Sequence, residues 1–422
     1  MPAELQLMNK HVVVVGGGVI GLSVAYTCAC RGHRVTLLER QPEKRGGCSF
    51  GNAGMIVPSH FIPLAAPGMV ALGLKWMWNP ESPFYIQPRL SWDLLAWAAK
   101  FWRAATPERV AEAAPLLRDL SLLSRACFVE QAASGLDLGL VQKGLLMLCK
   151  TAHALDEEAH TAAKSNELGV PAQVLDARAT AALDPAVRMD IAGSIYFPKD
   201  CHLPPERYLA VLQRELTRLG VDFRWNAEVT GWRRDKERIV AAQTREGEIT
   251  GDEFVISGGA WSPTVARALG VKLPMQAGKG YSLTLKQPRQ LPSICAIFTE
   301  ARVAVTPMDG ALRVGGTMEI AGLSETINPR RVRGIIRSVP RYYPEFCEED
   351  FAGIEPWAGL RPCSPDGLPY LGRPARWQNL ICATGHAMMG LSLAPATGRI
   401  VEELVSENEP SIPLTLLSPD RY

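Results

Sequence analysis

The first clear pattern in the chain is a run of β-branched residues, His11 to Val15 (HVVVV), of the kind that a parallel sheet buries on both faces. Small apolar residues fill positions 19–30, with Gly32 as a helix stop, and residues 35–38 form a second apolar strand ending at Glu39. These thirty residues spell strand, helix, strand. Over residues 90–136 the apolar positions recur at helical spacing, with Trp92, Leu95, Ala96 and Ala99 on one face and Leu116, Leu120 and Leu123 on another. Residues 144–149 and 194–198 read as strands, and 159–166 and 176–182 as helices. At Pro204 the α/β texture returns. An amphipathic helix over 205–219, opened by two prolines, precedes a strand over 221–225 and 227–229, and 253–257 (EFVIS) is an apolar strand running into Gly258-Gly259. Alternating β-rich sequence occupies 273–320, including 281–285 and 311–314. A short strand at 380–383 leads through glycine-rich sequence into a helix that ends at Val405. The α/β elements fall in three separated blocks, which two interleaved domains explain better than three consecutive ones.

Composition narrows the class. The chain has 422 residues, enough for two or three domains at roughly 100–200 residues each. With 47% hydrophobic and 21% charged residues it is neither a disordered tail nor a coiled coil. Lys and Arg exceed Asp and Glu by 45 to 43, so the surface offers no electrostatic footprint for nucleic acid. The ten cysteines are scattered, Cys28 and Cys30 being the one close pair, and the seven histidines are dispersed, so neither a disulfide scaffold nor a metal site is expected. Residues 1–10 lack a basic segment followed by an apolar core and a cleavage site. A reducing, cytoplasmic compartment is the expectation.

One stretch pulls the other way. Residues 61–78 carry a single charge, Lys75, over 18 residues, the lower limit for a membrane span. Pro63, Pro67, Gly68 and Gly73 interrupt it and Asn79-Pro80-Glu81-Ser82-Pro83 follows, which argues against a span. Trp76, Trp78, Phe84, Tyr85, Trp92, Trp97, Phe101 and Trp102 cluster around it. Such aromatics suit the core of a second domain. They also suit, less readily, a peripheral seat on the inner face of the cytoplasmic membrane, or a hydrophobic partner.

Chemistry concentrates in glycine-rich turns. Gly16, Gly18 and Gly21 form G-x-G-x-x-G between the first strand and helix, and Glu39 lies eighteen residues beyond Gly21, followed by Arg40. The first glycine permits the tight turn, the second admits a pyrophosphate to the backbone, and the third lets the helix lie close on the sheet. The helix N-terminus, including Val19 and Ile20, then offers N–H groups and partial positive charge to phosphates, while Glu39 accepts hydrogen bonds from ribose hydroxyls. On this motif NAD and FAD both remain open. The cluster Cys48-Ser49-Phe50-Gly51-Asn52-Ala53-Gly54-Met55 lets main chain approach a flat ring or a pyrophosphate, or is simply a structural loop. Gly258-Gly259-Ala260-Trp261-Ser262 again puts glycines at the carboxyl end of a strand, where open α/β sheets bind ligands. Arg361 stands alone in GLRPCSPDGLP. It either grips a carboxylate with parallel hydrogen bonds or pairs with a neighbour such as Asp366. Finally, Gly385-His386-Ala387-Met388-Met389-Gly390-Leu391-Ser392 leads into the last helix, whose N-terminus can stabilise negative charge.

Together GGGVIG, SFGNAG, GGAWS, GLRPCSPDGLPYLG and GHAMMGLSLAPATG resemble the D-amino acid oxidase superfamily of FAD-dependent oxidoreductases, in the expected order over nearly the whole chain. SFGNAG, AAPG, LKWMWNPESP, DCHLPPERYL and KGYS are similar to the D-amino acid dehydrogenase small-subunit branch. The resemblance implies a glutathione-reductase-like FAD-binding Rossmann domain (8–60, 200–265 and 353–415) interleaved with an antiparallel-sheet α+β substrate domain (61–199 and 266–352). It implies FAD as cofactor, and oxidation of a D-amino acid to an imine that water converts to a 2-keto acid and ammonia. The alternatives within it are oxidation of glycine or sarcosine, or of D-proline or D-hydroxyproline. The electron acceptor would be a quinone or oxygen. Arg361 would hold the substrate carboxylate, helped by Tyr281. Ser49, Asn52, Ala53, Gly54 and Met55 would line the flavin ring, with Gly385, His386, Met389, Gly390, Leu391 and Ser392 near its pyrimidine end, Gly258, Gly259 and Trp261 alongside, and Val229 on a strand contacting adenine. His386 belongs to the candidate catalytic set and could act as an acid or base, although its expected task is to position the flavin. Relatives with a covalent flavin use a cysteine shortly before the arginine; Gly359 stands there, so FAD is expected to be noncovalent. Met388 and Met389 replace the second arginine that glycine-oxidase relatives can carry.

Overall fold

The computed structural model describes residues 9–44, 46–77, 81–89 and 91–422. The readings that touched residues 1–8, Arg45, Trp78, Asn79, Pro80 and Leu90 therefore lie outside the described residues.

His11–Val15 sits inside a six-stranded sheet, ordered Tyr370–Gly372, Leu380–Thr384, Glu253–Ile256, His11–Val15, Arg34–Leu38, Asp222–Arg224. All neighbours pair in parallel except the edge strand Tyr370–Gly372. The four valines explain the central place. Val12 and Val14 enter one apolar core and Val13 and Val15 another, so both faces are covered. Each buried valine stabilises the fold by about 1.5–3 kcal/mol. Helix Val19–Cys30 packs against Gly390–Val405 and Pro205–Arg218. The first of these approaches is close, because Gly398 sits where a Cβ would lie 2.6 Å from the Ser23 carbonyl oxygen.

The second body is a nine-stranded sheet among the described residues. Its main path runs Trp357–Cys363, Gln276–Leu285, Ala311–Ile320, Val303–Met308, Cys295–Phe298, Leu145–Cys149, Gly193–Phe197, Gln173–Asp176, with Phe84–Ile86 joined to Ala311–Ile320. Pairing is mostly antiparallel, but Cys295–Phe298 with Leu145–Cys149 and Phe84–Ile86 with Ala311–Ile320 are parallel. The strand Trp357–Cys363, which the sequence groups with 353–415, is the edge of this sheet. It hydrogen-bonds to Gln276–Leu285 in unbroken register.

Several expectations change. The helical stretch 90–136 is two helices, Trp92–Ala104 capped by Ser91 and Pro107–Ala133 capped by Thr106, because Pro107 cannot continue a preceding helix and is at home in a first turn. The second of them packs against Gly390–Val405. Residues 227–229 are not a strand. Asn226, at φ 57, turns the chain so that Ala227 N–H donates to the Glu39 carbonyl at 2.8 Å, and Val229 lies in irregular backbone. Within 61–77 only Met69–Trp76 is helical, and no helix among the described residues is long and apolar enough to cross a membrane. The aromatic cluster divides. Trp97 is 5% exposed and stacks on Phe101 with centroids 5.1 Å apart, whereas Trp92 is 87% and Trp102 68% exposed.

Candidate active site

A long cleft opens at the carboxyl ends of the parallel strands. Gly16, at φ +115, donates its N–H to the Leu38 carbonyl at 2.8 Å, and a Cβ there would lie 2.6 Å from the Ser257 carbonyl oxygen. At Gly21 a Cβ would overlap the Gly16 carbonyl, so the helix can lie this close to the turn only with glycine. Gly18 differs. Its absent side chain would meet only Ser49 Oγ, at 3.5 Å, on the cleft wall. That leaves open space at the start of the first helix, a place where helix N-termini can receive an anion.

Glu39 closes the far side. One carboxylate oxygen accepts from Gly17 N at 2.7 Å and the other from Gln41 N at 2.8 Å, which fixes the carboxylate at the cleft rim. The Arg40 guanidinium lies 3.6 Å from the Trp261 ring centroid, so both flank the same wall. Val229, Gly258 and Gly259 complete it. Ser49 Oγ accepts from Val19 N at 3.0 Å and thereby tethers the loop 46–52 to the start of the first helix.

His386, Gly390 and Leu391 also line the cleft. Thr397 Oγ1 gives its proton to the Leu393 carbonyl at 2.8 Å, so in its 3.0 Å contact with His386 the histidine Nε2 is the donor. The His386 Nδ1 lone pair is then a buried acceptor without a partner among the described residues. Burial alone pushes this imidazole down to about 3, so it is neutral at working pH. A bare acceptor on the cleft wall fits FAD, whose hydroxyls and imide N–H are donors. It does not fit a proton-carrying role.

Not every expected residue reaches the wall. Gly21, Ala53, Gly54, Met55, Gly385, Met389 and Ser392 lie behind it, and each has structural work. Asn52 Oδ1 accepts from Gly54 N at 2.8 Å, while Asn52 itself stays on the wall. Met55 pairs with His202 across a two-stranded ribbon. Gly385, at φ +80, turns beside the Tyr370 ring, Met389 packs into core, and Ser392 Oγ accepts from Val57 N at 3.0 Å.

Arg361 is reached across the adjoining sheet. It lies opposite Gly278 in the register, and an isolated bridge between Cys363 and His386 joins its strand to the cleft. Its Nη1 donates to the Thr317 carbonyl, and no acid pairs with it among the described residues. The alternative partner is taken, since Asp366 binds Arg421 at 2.7 Å and 3.0 Å. Gly278, Gly280, Ser282, Trp357, Gly359 and Arg361 share one face by strand alternation. That face meets the loop 48–54, for Ser282 Oγ donates to the Gly51 carbonyl at 3.0 Å and the Trp357 ring fills the space above Gly51. Cys48, on the cleft wall, is close enough to Arg361 to feel its charge, although burial pushes the thiol up to about 11.

Tyr281 must be corrected. It pairs with Ala358, so its side chain leaves the sheet on the face opposite Arg361. There it is buried, and its hydroxyl donates to Glu319 Oε2 at 2.5 Å. It is not a helper of the arginine.

Arg313 escaped the sequence reading. Only 7% exposed, it donates from Nη1 to the carbonyls of Phe50 (2.9 Å) and Asn52 (3.1 Å), from Nε to Thr284 Oγ1 (3.0 Å) and from Nη2 to Glu206 (3.2 Å). It pins the cleft loop to the large sheet. A lone arginine in the apolar strand ALRVGG was the available signal.

The family described as FAD dependent oxidoreductase (DAO) matches residues 11–404. The D-amino acid dehydrogenase of Methylobacterium nodulans is 35% identical over 423 residues, covering 98% of this chain and 99% of that protein. The D-amino acid dehydrogenase of Bradyrhizobium diazoefficiens is 31% identical, covering 97% and 98%. Among solved structures, glycine oxidase from Geobacillus kaustophilus superimposes with a TM-score of 0.77 at 24% identity, covering 98% of this chain and 99% of that one. L-proline dehydrogenase from P. horikoshii superimposes with a TM-score of 0.76 at 17% identity, covering 98% and 97%. These two likenesses are of fold.

Proposed function

The chain belongs to the DAO family of FAD-dependent oxidoreductases, and from that membership we propose that it dehydrogenates a D-amino acid, with Arg361 as the carboxylate clamp. The observation that carries this reading is an arginine without an acid partner among the described residues, on the sheet face that meets the cofactor loop. The full-length similarity to D-amino acid dehydrogenases supports the substrate class.

FAD, when bound, supplies a two-electron acceptor for the substrate Cα–H bond. The open space at Gly18 and the start of the first helix at Ile20 would hold its pyrophosphate, Glu39 its ribose, and His386 Nδ1 a donor group. The chain's own part in the reaction is orientation. Arg361 has N–H groups in a fixed fork, which grips a carboxylate in one plane and so fixes the Cα substituents. Orientation of this kind accounts for large rate factors, up to about 7–11 kcal/mol in favourable cases. The imine is released to water, which gives the 2-keto acid and ammonia. No side chain here is assigned as an obligatory acid or base.

The acceptor reading is a membrane quinone. Trp92, Leu95 and Trp102 stand out from helix Trp92–Ala104, whose inner residues Leu94 and Trp97 pack with Met318 and Cys363 beside the clamp strand. A surface of this kind suits a peripheral membrane position near the site.

An anaerobic flavin-bleaching screen over D-amino acids, glycine, sarcosine and D-proline tests the substrate class, and repeating it with oxygen or a quinone dye tests the acceptor. Bleaching by D-amino acids, with Arg361→Ala raising KM by roughly 10–100-fold while FAD stays bound, is expected from the strength of hydrogen bonds to charged groups. An unchanged KM overturns the clamp.

A further inference from the structure

Beneath the Arg361 guanidinium the sheet is built in an unusual way. Gly280 is the diagonal cross-strand neighbour of Arg361, and a Cβ on it would overlap Nη1, Nη2 and Cζ of that guanidinium. Those three atoms are its nearest neighbours, so the missing side chain is what gives the guanidinium its place. On the next strand the register breaks at the same point. Pairing passes from Tyr281 opposite Gly316 to Lys279 opposite Glu319, leaving Thr317 and Met318 to face Gly280. Thr317 occupies φ +70, a strained conformation that a β-branched residue rarely adopts. Two bonds are made at the bulge: the Thr317 carbonyl accepts from Arg361 Nη1, and the Met318 N–H donates to the Pro83 carbonyl at 2.7 Å beside the parallel strand Phe84–Ile86.

We infer that Gly280 and the bulged Thr317 form a seat for Arg361, and that they are positioning residues which set where the substrate carboxylate is held. The inference rests on the reading of Arg361 as the carboxylate clamp. Gly280 leaves the guanidinium a flat floor to lie on, and the Thr317 carbonyl engages Nη1 and so fixes the rotation of the fork. Nη2 and Nε are left to meet an anion. The strain at Thr317 is retained because a regular ladder would point that carbonyl elsewhere.

A double-mutant cycle tests this. Gly280→Ala pushes only on the far end of a flexible side chain, so the holoenzyme should keep its FAD and its thermal midpoint. Its KM for the amino acid should rise about tenfold or more, with kcat changed by less than about threefold. In an Arg361→Ala background the same substitution should have no further effect on KM, because it acts through the guanidinium. If Gly280→Ala fails to fold, the double variant decides: recovery of folding and FAD binding to the level of Arg361→Ala supports the seat, and continued failure overturns it. Unchanged KM in Gly280→Ala overturns the seat if Arg361→Ala does raise KM. If Arg361→Ala does not raise KM, the clamp itself fails, and the seat with it.

Discussion

The indole of Trp357 lies over Gly359, so that a Cβ on that glycine would overlap the ring. The two residues are neighbours on one face of the edge strand, two before Arg361. A side chain at 359 therefore has no room to reach a cofactor.

With glycine at 359, FAD is expected to be held without a covalent bond from that position. Acid or guanidinium denaturation should release all of the yellow chromophore into the filtrate, with the precipitated protein colourless. Flavin that stays with the protein would sink this expectation.

Gly18 and Gly21 should separate cofactor binding from folding. Gly21→Ala forces a Cβ into the Gly16 carbonyl, and overpacking of this kind costs about 1–3 kcal/mol or more, so the apoprotein should lose stability. Gly18→Ala meets only Ser49 Oγ at 3.5 Å, so the apoprotein midpoint should stay put while FAD affinity falls about tenfold or more. Titration with FAD and apoprotein melting curves check both. Equal melting curves for the two variants would refute the assignment of Gly18 to the pyrophosphate.

Asp200 should make stability depend on pH. It is fully buried, Ser59 donates to it from N (3.1 Å) and Oγ (2.5 Å), and His60 Nδ1 lies 3.0 Å from that hydroxyl. Burial pushes its carboxyl up from 3.8 to about 7, against the hydrogen bonds from Ser59 and the charge of Arg125. A raised value means that the folded chain binds this proton more tightly than the unfolded chain. The stabilisation is complete below about 4, falls as pH rises to about 7, and is absent above. Asp200→Asn cannot ionise and keeps an acceptor for Ser59 N, so it should abolish that slope and be more stable by about a few kcal/mol at pH 8. Urea midpoints for both proteins at pH 5, 6, 7 and 8 measure it; parallel curves would count against the assignment.

The outward face of helix Trp92–Ala104 should bind lipid. Leu95 is 54% exposed between two more exposed tryptophans. Replacing Trp92 and Trp102 with Ser should weaken cosedimentation with vesicles of bacterial lipid about tenfold or more, with kcat toward a soluble dye retained. Equal sedimentation of both proteins would remove the membrane reading.

What could be read from the residues alone differs between the two halves. The nucleotide half is local in sequence. The continuously buried run Val12 to Val15, the Gly16 turn and Glu39 all fall within thirty residues and follow from the β-branched run and turn chemistry. The other half depends on register. Whether Tyr281 or Gly280 shares a face with Arg361 is decided by pairing with a strand some eighty residues away, and a slip of one position reverses the answer. The bulge at Thr317 and the bonds of Arg313 to a loop more than 250 residues earlier leave no periodic trace.

Arg313 has a mechanical implication. Its four hydrogen bonds rivet the loop 50–52 to Thr284 and Glu206, so the wall of the cleft and the floor of the arginine site are parts of a single casting. Wide opening between the halves would tear that rivet from a nearly dry setting. Traffic of amino acid in and keto acid out is then expected to use smaller displacements at the periphery, with the two walls keeping their spacing.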